Sequence, residues 1–244
     1  GTRLSDFTTA SKTLFQNPKV NFLSINVSSF DAHKHSSISI VGDAKKCLEH
    51  LNHLLKNDGF SISVKYRAEI KQHKNDWNQE VDRIFNLDNQ PTVSQGEVIG
   101  VISNCMNEDD VVVCAAGSLP GDMHKLWRSV NGDQYHMEYG YSCMGYEVAG
   151  GLGIKMAKDS GDVFVMVGDG SYLMMNSEIV TAVQENEKLI IILINNHGFG
   201  SINGLSLSLG SKGFGNQYRK REGPSSEYTG DKLPVDYAAH AKSM

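Results

Sequence analysis

Residues Val163–Gly200 read VFVMVGDGSYLMMNSEIVTAVQENEKLIIILINNHGFG. Two apolar runs, VFVMV (163–167) and LIIILI (189–194), flank a helical pattern from Tyr172 to Glu187. Neither run alternates polar with apolar residues, so each reads as a strand covered on both faces of a parallel sheet. A parallel βαβ unit brings both strand ends to one carboxyl edge, where open α/β sheets bind ligands. The first run ends in Gly168-Asp169-Gly170 and the second in Asn195-Asn196-His197-Gly198. Asp169 offers a carboxylate and Asn196 an amide oxygen, hard donors of the kind Mg²⁺ or Ca²⁺ takes. A helix starting at Ser171 turns free N–H groups toward the same edge, which favours phosphate. Gly168, Gly170, Gly198 and Gly200 allow close backbone approach. Either motif alone reads as an ordinary turn before it reads as a site. Together, each after a buried strand and one helix apart, they describe a diphosphate clamped by a divalent cation.

Working outward, further short β-branched runs occur at 20–27, 38–41 and 111–114, with helical patterns at 44–55, 64–85, 96–106 and 146–157. This alternation argues for α/β layers with a parallel sheet. Lys plus Arg is 23 against 28 Asp plus Glu, a net charge of −5, which excludes a broadly basic nucleic-acid binder. The chain is 40% hydrophobic and 21% charged, which excludes a mainly disordered one. No apolar run is long enough to span a membrane, and GTRLSDFTTA lacks a signal-peptide pattern. Cysteines at 47, 105, 114 and 143 form no C-x-x-C, so a reduced, cytoplasmic setting is expected. A boundary is expected near Asn57–Phe60. The closing stretch VDYAAHAKSM reads as an unfinished helix, so the chain is expected to be part of a longer protein.

At Gly168-Asp169-Gly170 and Asn195-Asn196, with 24 residues between them, the chain resembles the thiamine-diphosphate (ThDP) enzyme family. The resemblance implies that Asp169, Asn196 and the Gly198 carbonyl bind Mg²⁺. It further implies that Gly168, Gly170 and Ser171 lie along the cofactor, with the N–H groups of Gly170 and Ser171 on the diphosphate. Ser142-Cys143-Met144-Gly145-Tyr146, followed by AGGLG (149–153), is similar to the family segment under the thiazolium ring in acetolactate-synthase-like members. Met144 would there hold the cofactor bent, and the Ser142 carbonyl would accept from its amine. GSLPGDMHKLW (117–127) is similar to an earlier loop in which His124 would touch the diphosphate, although a surface role suits His124 nearly as well.

The longer phrases EYGYSCMGYEVAGGLG (138–153), NNHGFGSINGLS (195–206) and KLPVDYAAHA (232–241) are similar to a branch of the family that opens a cyclic trihydroxydione in myo-inositol catabolism, and GTRLSDFTT (1–9) resembles part of its middle domain. That likeness implies hydrolytic C–C ring cleavage to 5-deoxy-glucuronate, with the small cyclic dione as substrate and a homodimer or homotetramer as the assembly. It divides the chain into the end of a Rossmann-like middle domain (1–58), a helical linker (59–92) and a parallel-sheet diphosphate-binding domain cut short at its end (93–244). The Glu that activates the cofactor would lie on a domain outside these residues, so this chain alone is expected to be inactive. His197, His136 and Tyr139 are candidates to face substrate, and Arg219-Lys220-Arg221 reads as a solvated loop or lid. Two other functions stay open: a carboligase joining 2-keto acids, and a non-catalytic remnant or assembly module. A nicotinamide-dinucleotide enzyme fails on context, because GGLG (150–153) lies inside a helical pattern rather than at a strand-to-helix turn.

Overall fold

The computed structural model describes residues 3–224 and 227–244, so Gly1 and Thr2 of the opening stretch lie outside the described residues. The chain divides into two compact units, with the division between His73 and Lys74. It falls inside a long helix rather than in the turn at 57–60.

The first unit holds α1 (Asp6–Thr9), β1 (Leu23–Asn26), α2 (Ser29–Ala32), β2 (Ile38–Val41) and α3 (Ala44–Asn57). β1 and β2 pair in parallel, Leu23 opposite Ile38 and Asn26 opposite Val41. Asp43 caps α3 by accepting from Lys46 N–H at 2.9 Å. The helix α4 (Val64–Phe85) contains the division and matches the range its polar pattern predicts.

The second unit is a four-stranded parallel sheet. Its elements are α5 (Gln95–Cys105), β3 (Val111–Cys114), α6 (Ser118–Leu126), β4 (Tyr135–Met137), α7 (Tyr146–Ala157), β5 (Val163–Gly168), α8 (Asp169–Met174), α9 (Glu178–Gln184), β6 (Ile190–Ile194), α10 (Gly200–Ser208) and α11 (Tyr237–Lys242). The strand order is β4-β3-β5-β6. Side chains alternate across it as pleating requires. Val112, Cys114, Phe164 and Met166 face α5 and α6, packing with Ile99, Leu119, Met123 and Leu126. Val111, Val113, Val163, Val165 and Val167 face the other way, packing with Val148 of α7 and Tyr172 of α8. Helices on both faces explain why these strands read as unbroken apolar runs. Ser94 and Glu97 close a reciprocal capping box at the start of α5, a motif worth about 1 kcal/mol.

Three details depart from the sequence reading. The pattern 172–187 predicts one helix, but the chain breaks between Met174 and Glu178, giving α8 and α9. Asn176 donates to the Tyr172 carbonyl at 3.0 Å and ends the first helix there. LIIILI predicts a strand covered on both faces, yet every residue of β6 is only half-buried, because β6 is the edge strand. The three-residue strand β4 and the helix α10 carry periodicity too weak to announce them in the sequence, whereas α6 spaces Leu119, Met123 and Leu126 on one buried face of a stretch whose resemblance implies a loop. Among the described residues, no helix is long and apolar enough to cross a membrane.

Candidate functional site

The site grows from the carboxyl ends of β5 and β6, which pair from Phe164–Ile190 to Gly168–Ile194. That register carries Asp169 and Asn196 off adjacent strand ends. Gly168 is extended (φ −76°, ψ 152°) and caps α8, so Asp169 is the first helical residue. The Asp169 side chain is fully buried. Its Oδ2 accepts from Gly198 N–H at 2.8 Å and from the Tyr237 hydroxyl at 3.5 Å.

Gly198 sits at φ +141°, a conformation open essentially to glycine alone. A Cβ there would overlap the carbonyl of Asn216. The strain is held by a short antiparallel return, in which Gly198 bridges Gln217, Phe199 N–H donates to Asn216 O at 2.8 Å, and Tyr218 N–H donates to His197 O at 2.8 Å. A Cβ on Gly200 would lie 2.9 Å from Asn196 Nδ2, and one on Gly170 would lie 2.9 Å from Phe199 Cε1. These two glycines allow the segments to close on one another.

The Asn196 amide tests the fit to a cation. An amide's oxygen and nitrogen are assigned by their partners. With its NH₂ turned inward, Asn196 donates to Gly198 O at 2.8 Å and to Asp169 Oδ1 at 3.2 Å. With its oxygen inward, the Asn196 oxygen stands at those same separations from the Gly198 and Asp169 oxygens. Neighbouring oxygens around Mg²⁺, bound at ~2.0–2.1 Å, lie about 2.9 Å apart. The spacing and the all-oxygen donor set therefore fit Mg²⁺. Among the described residues, no three His, Cys, Asp or Glu side chains group as a metal site, so a zinc-type cluster has no counterpart here.

The other expected residues separate into two groups. Ser171 is buried, and its Oγ is committed to the protein: it accepts from Gly145 N–H at 2.7 Å and donates to Glu147 Oε2 at 2.7 Å. Only its main-chain N–H is left for an anion. Ser142 and Met144 lie on the loop between β4 and α7, Ser142 in the left-handed region (φ +53°) and Met144 half-buried beside Gly145 (φ +87°). Glu138 braces this loop by accepting from Tyr141 N–H at 3.1 Å and Cys143 N–H at 2.8 Å. The Cys143 bond, ahead of the Tyr141 one, holds the Glu138 carboxyl below its ordinary range. His124 is exposed on α6, and its ring meets Tyr135 and Tyr139 edge-on, with centroids at 6.2 and 5.3 Å. His136 is stacked on Tyr146 and bonded to its hydroxyl at 2.7 Å. His197 adopts φ +62° and spends its carbonyl on Tyr218. Arg219 and Arg221 are drawn into the loop itself, Arg219 donating to the Gly230 carbonyl at 3.0 Å and Arg221 to the Tyr228 hydroxyl at 2.8 Å.

Sequence reasoning missed Glu147, Glu138 and Tyr237. Glu147 was findable: it is the one acidic residue in the apolar helix YEVAGGLGI, and lone buried acids need partners. Tyr237 carried no such signal. Burial, with Asp169 beside it, pushes its phenol up to about 12, so it remains a neutral donor.

Residues 115–244 match the family model described as thiamine pyrophosphate enzyme, C-terminal TPP binding domain. Thiamine pyrophosphate is ThDP under its other name. The chain is also similar to curated proteins named 3D-(3,5/4)-trihydroxycyclohexane-1,2-dione hydrolase. It is 42% identical to that of Clostridium botulinum (strain Alaska E43 / Type E3), over 99% of the chain and 41% of the relative. It is 43% identical to that of Bacillus cereus (strain AH820) and 40% to that of Clostridium tetani, with the same shares covered. The chain thus spans about two fifths of the length of the relatives it matches.

Proposed function

The chain belongs to the thiamine pyrophosphate enzyme family, and from that premise we propose that it forms the diphosphate-and-metal half of a ThDP site in a hydrolase acting on 3D-(3,5/4)-trihydroxycyclohexane-1,2-dione. The observation that carries the proposal is the Asn196 amide standing 2.8 Å from the Gly198 carbonyl and 3.2 Å from Asp169 Oδ1, separations that suit a Mg²⁺ shell when the amide oxygen faces inward. The names of the relatives supply the substrate class.

Bound here, ThDP would supply the electron sink needed to break a ring C–C bond, with 5-deoxy-glucuronate as the product. The chain's own work is to bind, orient and exclude water. Asp169, Asn196 and the Gly198 carbonyl would hold Mg²⁺. The N–H groups of Gly170 and Ser171, at the start of α8 beyond Gly168, would face the diphosphate. Met144 would lie against the cofactor and set its bend, with the Ser142 carbonyl nearby as an acceptor. His124, packed edge-on against Tyr139, would touch the diphosphate. His197, His136 and Tyr139 stay candidates for the polyol hydroxyls. The activating Glu is expected outside these 244 residues, and the working assembly is a cytoplasmic homodimer or homotetramer.

Calorimetric titration of the chain with ThDP and MgCl₂ tests the cofactor half, with metal-dependent binding expected. No binding by a folded chain would favour the assembly module. Assay of the chain within a polypeptide of the relatives' length, on the cyclic dione and on pyruvate, tests the chemistry. Ring opening is expected, and carboligation of pyruvate would overturn the substrate assignment.

A further inference from the structure

Glu147 is 1% exposed, on the first turn of α7. Its Oε1 accepts from Ala116 N–H at 3.2 Å, and its Oε2 from Gly145 N–H at 3.2 Å and from Ser171 Oγ at 2.7 Å. The three partners belong to three different segments. Ala116 is on the exit loop of β3, Gly145 opens α7, and Ser171 is in α8 beyond β5. The strands β3 and β5 are neighbours, and the order β4-β3-β5-β6 reverses direction between them. Ligands of open α/β sheets lie outside the carboxyl ends at such a point. An acidic side chain inside an apolar helix carries a desolvation cost that only partnered burial offsets. Satisfying Glu147 therefore requires all three segments to be in register at once.

We infer that Glu147 is a positioning residue for the cofactor. One carboxyl group ties the Met144–Gly145 turn, the first turn of α8 and the β3 exit loop, and so sets the distance from the Met144 prop to the N–H groups of Gly170 and Ser171. The inference rests on the ThDP reading of those residues. An internal comparison lies at the opposite end of the same strands. Asp110, 4% exposed, accepts from Asn107 N–H and Asp162 N–H, each at 2.7 Å, where β3 and β5 begin. It makes the same kind of tie away from the carboxyl edge, so it separates a tie that only stabilises from one that positions.

The test compares Glu147→Gln, Ser171→Ala and Asp110→Asn in the 244-residue chain. Three quantities are read: thermal unfolding without cofactor, amide hydrogen exchange, and the Kd for Mg²⁺–ThDP. Gln keeps the shape but turns an NH₂ toward one of the donors. E147Q is expected to speed exchange at the Ala116 and Gly145 amides and to raise Kd by about tenfold or more, as loss of a supporting partner does around ligand sites. S171A is expected to raise Kd by about threefold or more, and D110N to lower the unfolding midpoint while leaving Kd unchanged. Wild-type binding by both E147Q and S171A overturns the inference, as does an equal rise in Kd for D110N. If E147Q does not fold, S171A decides alone. A wild-type chain that fails to bind Mg²⁺–ThDP refutes the cofactor reading itself. The exchange arm then still decides whether the tie exists, and unchanged Ala116 and Gly145 amides in E147Q overturn it.

Discussion

The N–H of Gly198 donates to Asp169 Oδ2 at 2.8 Å, joining the ends of two neighbouring strands across 29 residues of chain. This bond leaves Asp169 Oδ1 facing the Asn196 amide. The carboxylate thus has one oxygen holding the loop and one meeting the Asn196 amide, where the proposed cation would sit.

Replacing Asp169 with Asn separates the two. Asn keeps one oxygen for the Gly198 N–H and turns its NH₂ toward Asn196, so the loop bond becomes a neutral one while the ligating oxygen is lost. D169N is expected to lose only about 1 kcal/mol in denaturant titration, the difference between a charged and a neutral acceptor. Mg²⁺-dependent ThDP binding, read by calorimetry, should fall by about a hundredfold or more.

Gly198→Ala should act through the backbone. Alanine at φ +141° is strained, by about 1–3 kcal/mol, before its Cβ meets the Asn216 carbonyl. The expected outcome is a lowered unfolding midpoint, with release of the Gly198–Gln217 bridge visible as faster exchange at the Phe199 and Tyr218 amides. A variant as stable as wild type would contradict the geometry.

Gly151→Ala distinguishes packing from nucleotide recognition. Gly151 lies within α7, where a Cβ would press on Val165 of β5. Overpacking of this kind costs about 1–3 kcal/mol. Stability should fall by that amount with ThDP affinity unchanged, because this glycine serves helix–sheet contact and not a phosphate.

The Glu138 brace gives a pH dependence of definite sign. Its folded pKa is lowered by the Cys143 and Tyr141 N–H donors. Its contribution is complete above the ordinary glutamate pKa of about 4.3 and is lost as pH falls through the lower folded value. Protection of the Tyr141 and Cys143 amides, taken relative to intrinsic exchange, should therefore fall only below about pH 4.3. Glu138→Gln should show that loss of protection already at neutral pH, with a flatter acid response.

The meeting of Asp169, Asn196 and Gly198 was legible because these residues come directly after strands that announce themselves. Val163–Val167 and Leu189–Ile194 are unbroken apolar runs, and the residues next in the chain after each run must lie at the sheet edge. The break at Met175–Ser177 was not legible, because the apolar spacing continues across it while a single Asn side chain ends the helix. Glu138 and Glu147 stand inside a legible motif, yet their roles were hidden. Their function lies in which N–H groups they meet, and those come from loops whose paths a one-dimensional pattern does not contain. The ring contacts of His124 with Tyr135 and Tyr139 were hidden in the same way, since they join a helix to a strand and loop that lie further along the sequence.

The strand β6 delivers Asn196 to the site from the rim of the sheet. Among the described residues no strand pairs with its outer side. An edge run of isoleucine and leucine is a template for pairing with a further strand. The chain interrupts it with Lys188 before the run and Asn195-Asn196 after it. The polar pair that ends the run, which includes the proposed ligand Asn196, thus also interrupts pairing along this edge, so replacing Asn195 or Asn196 with β-branched apolar residues is expected to lower solubility.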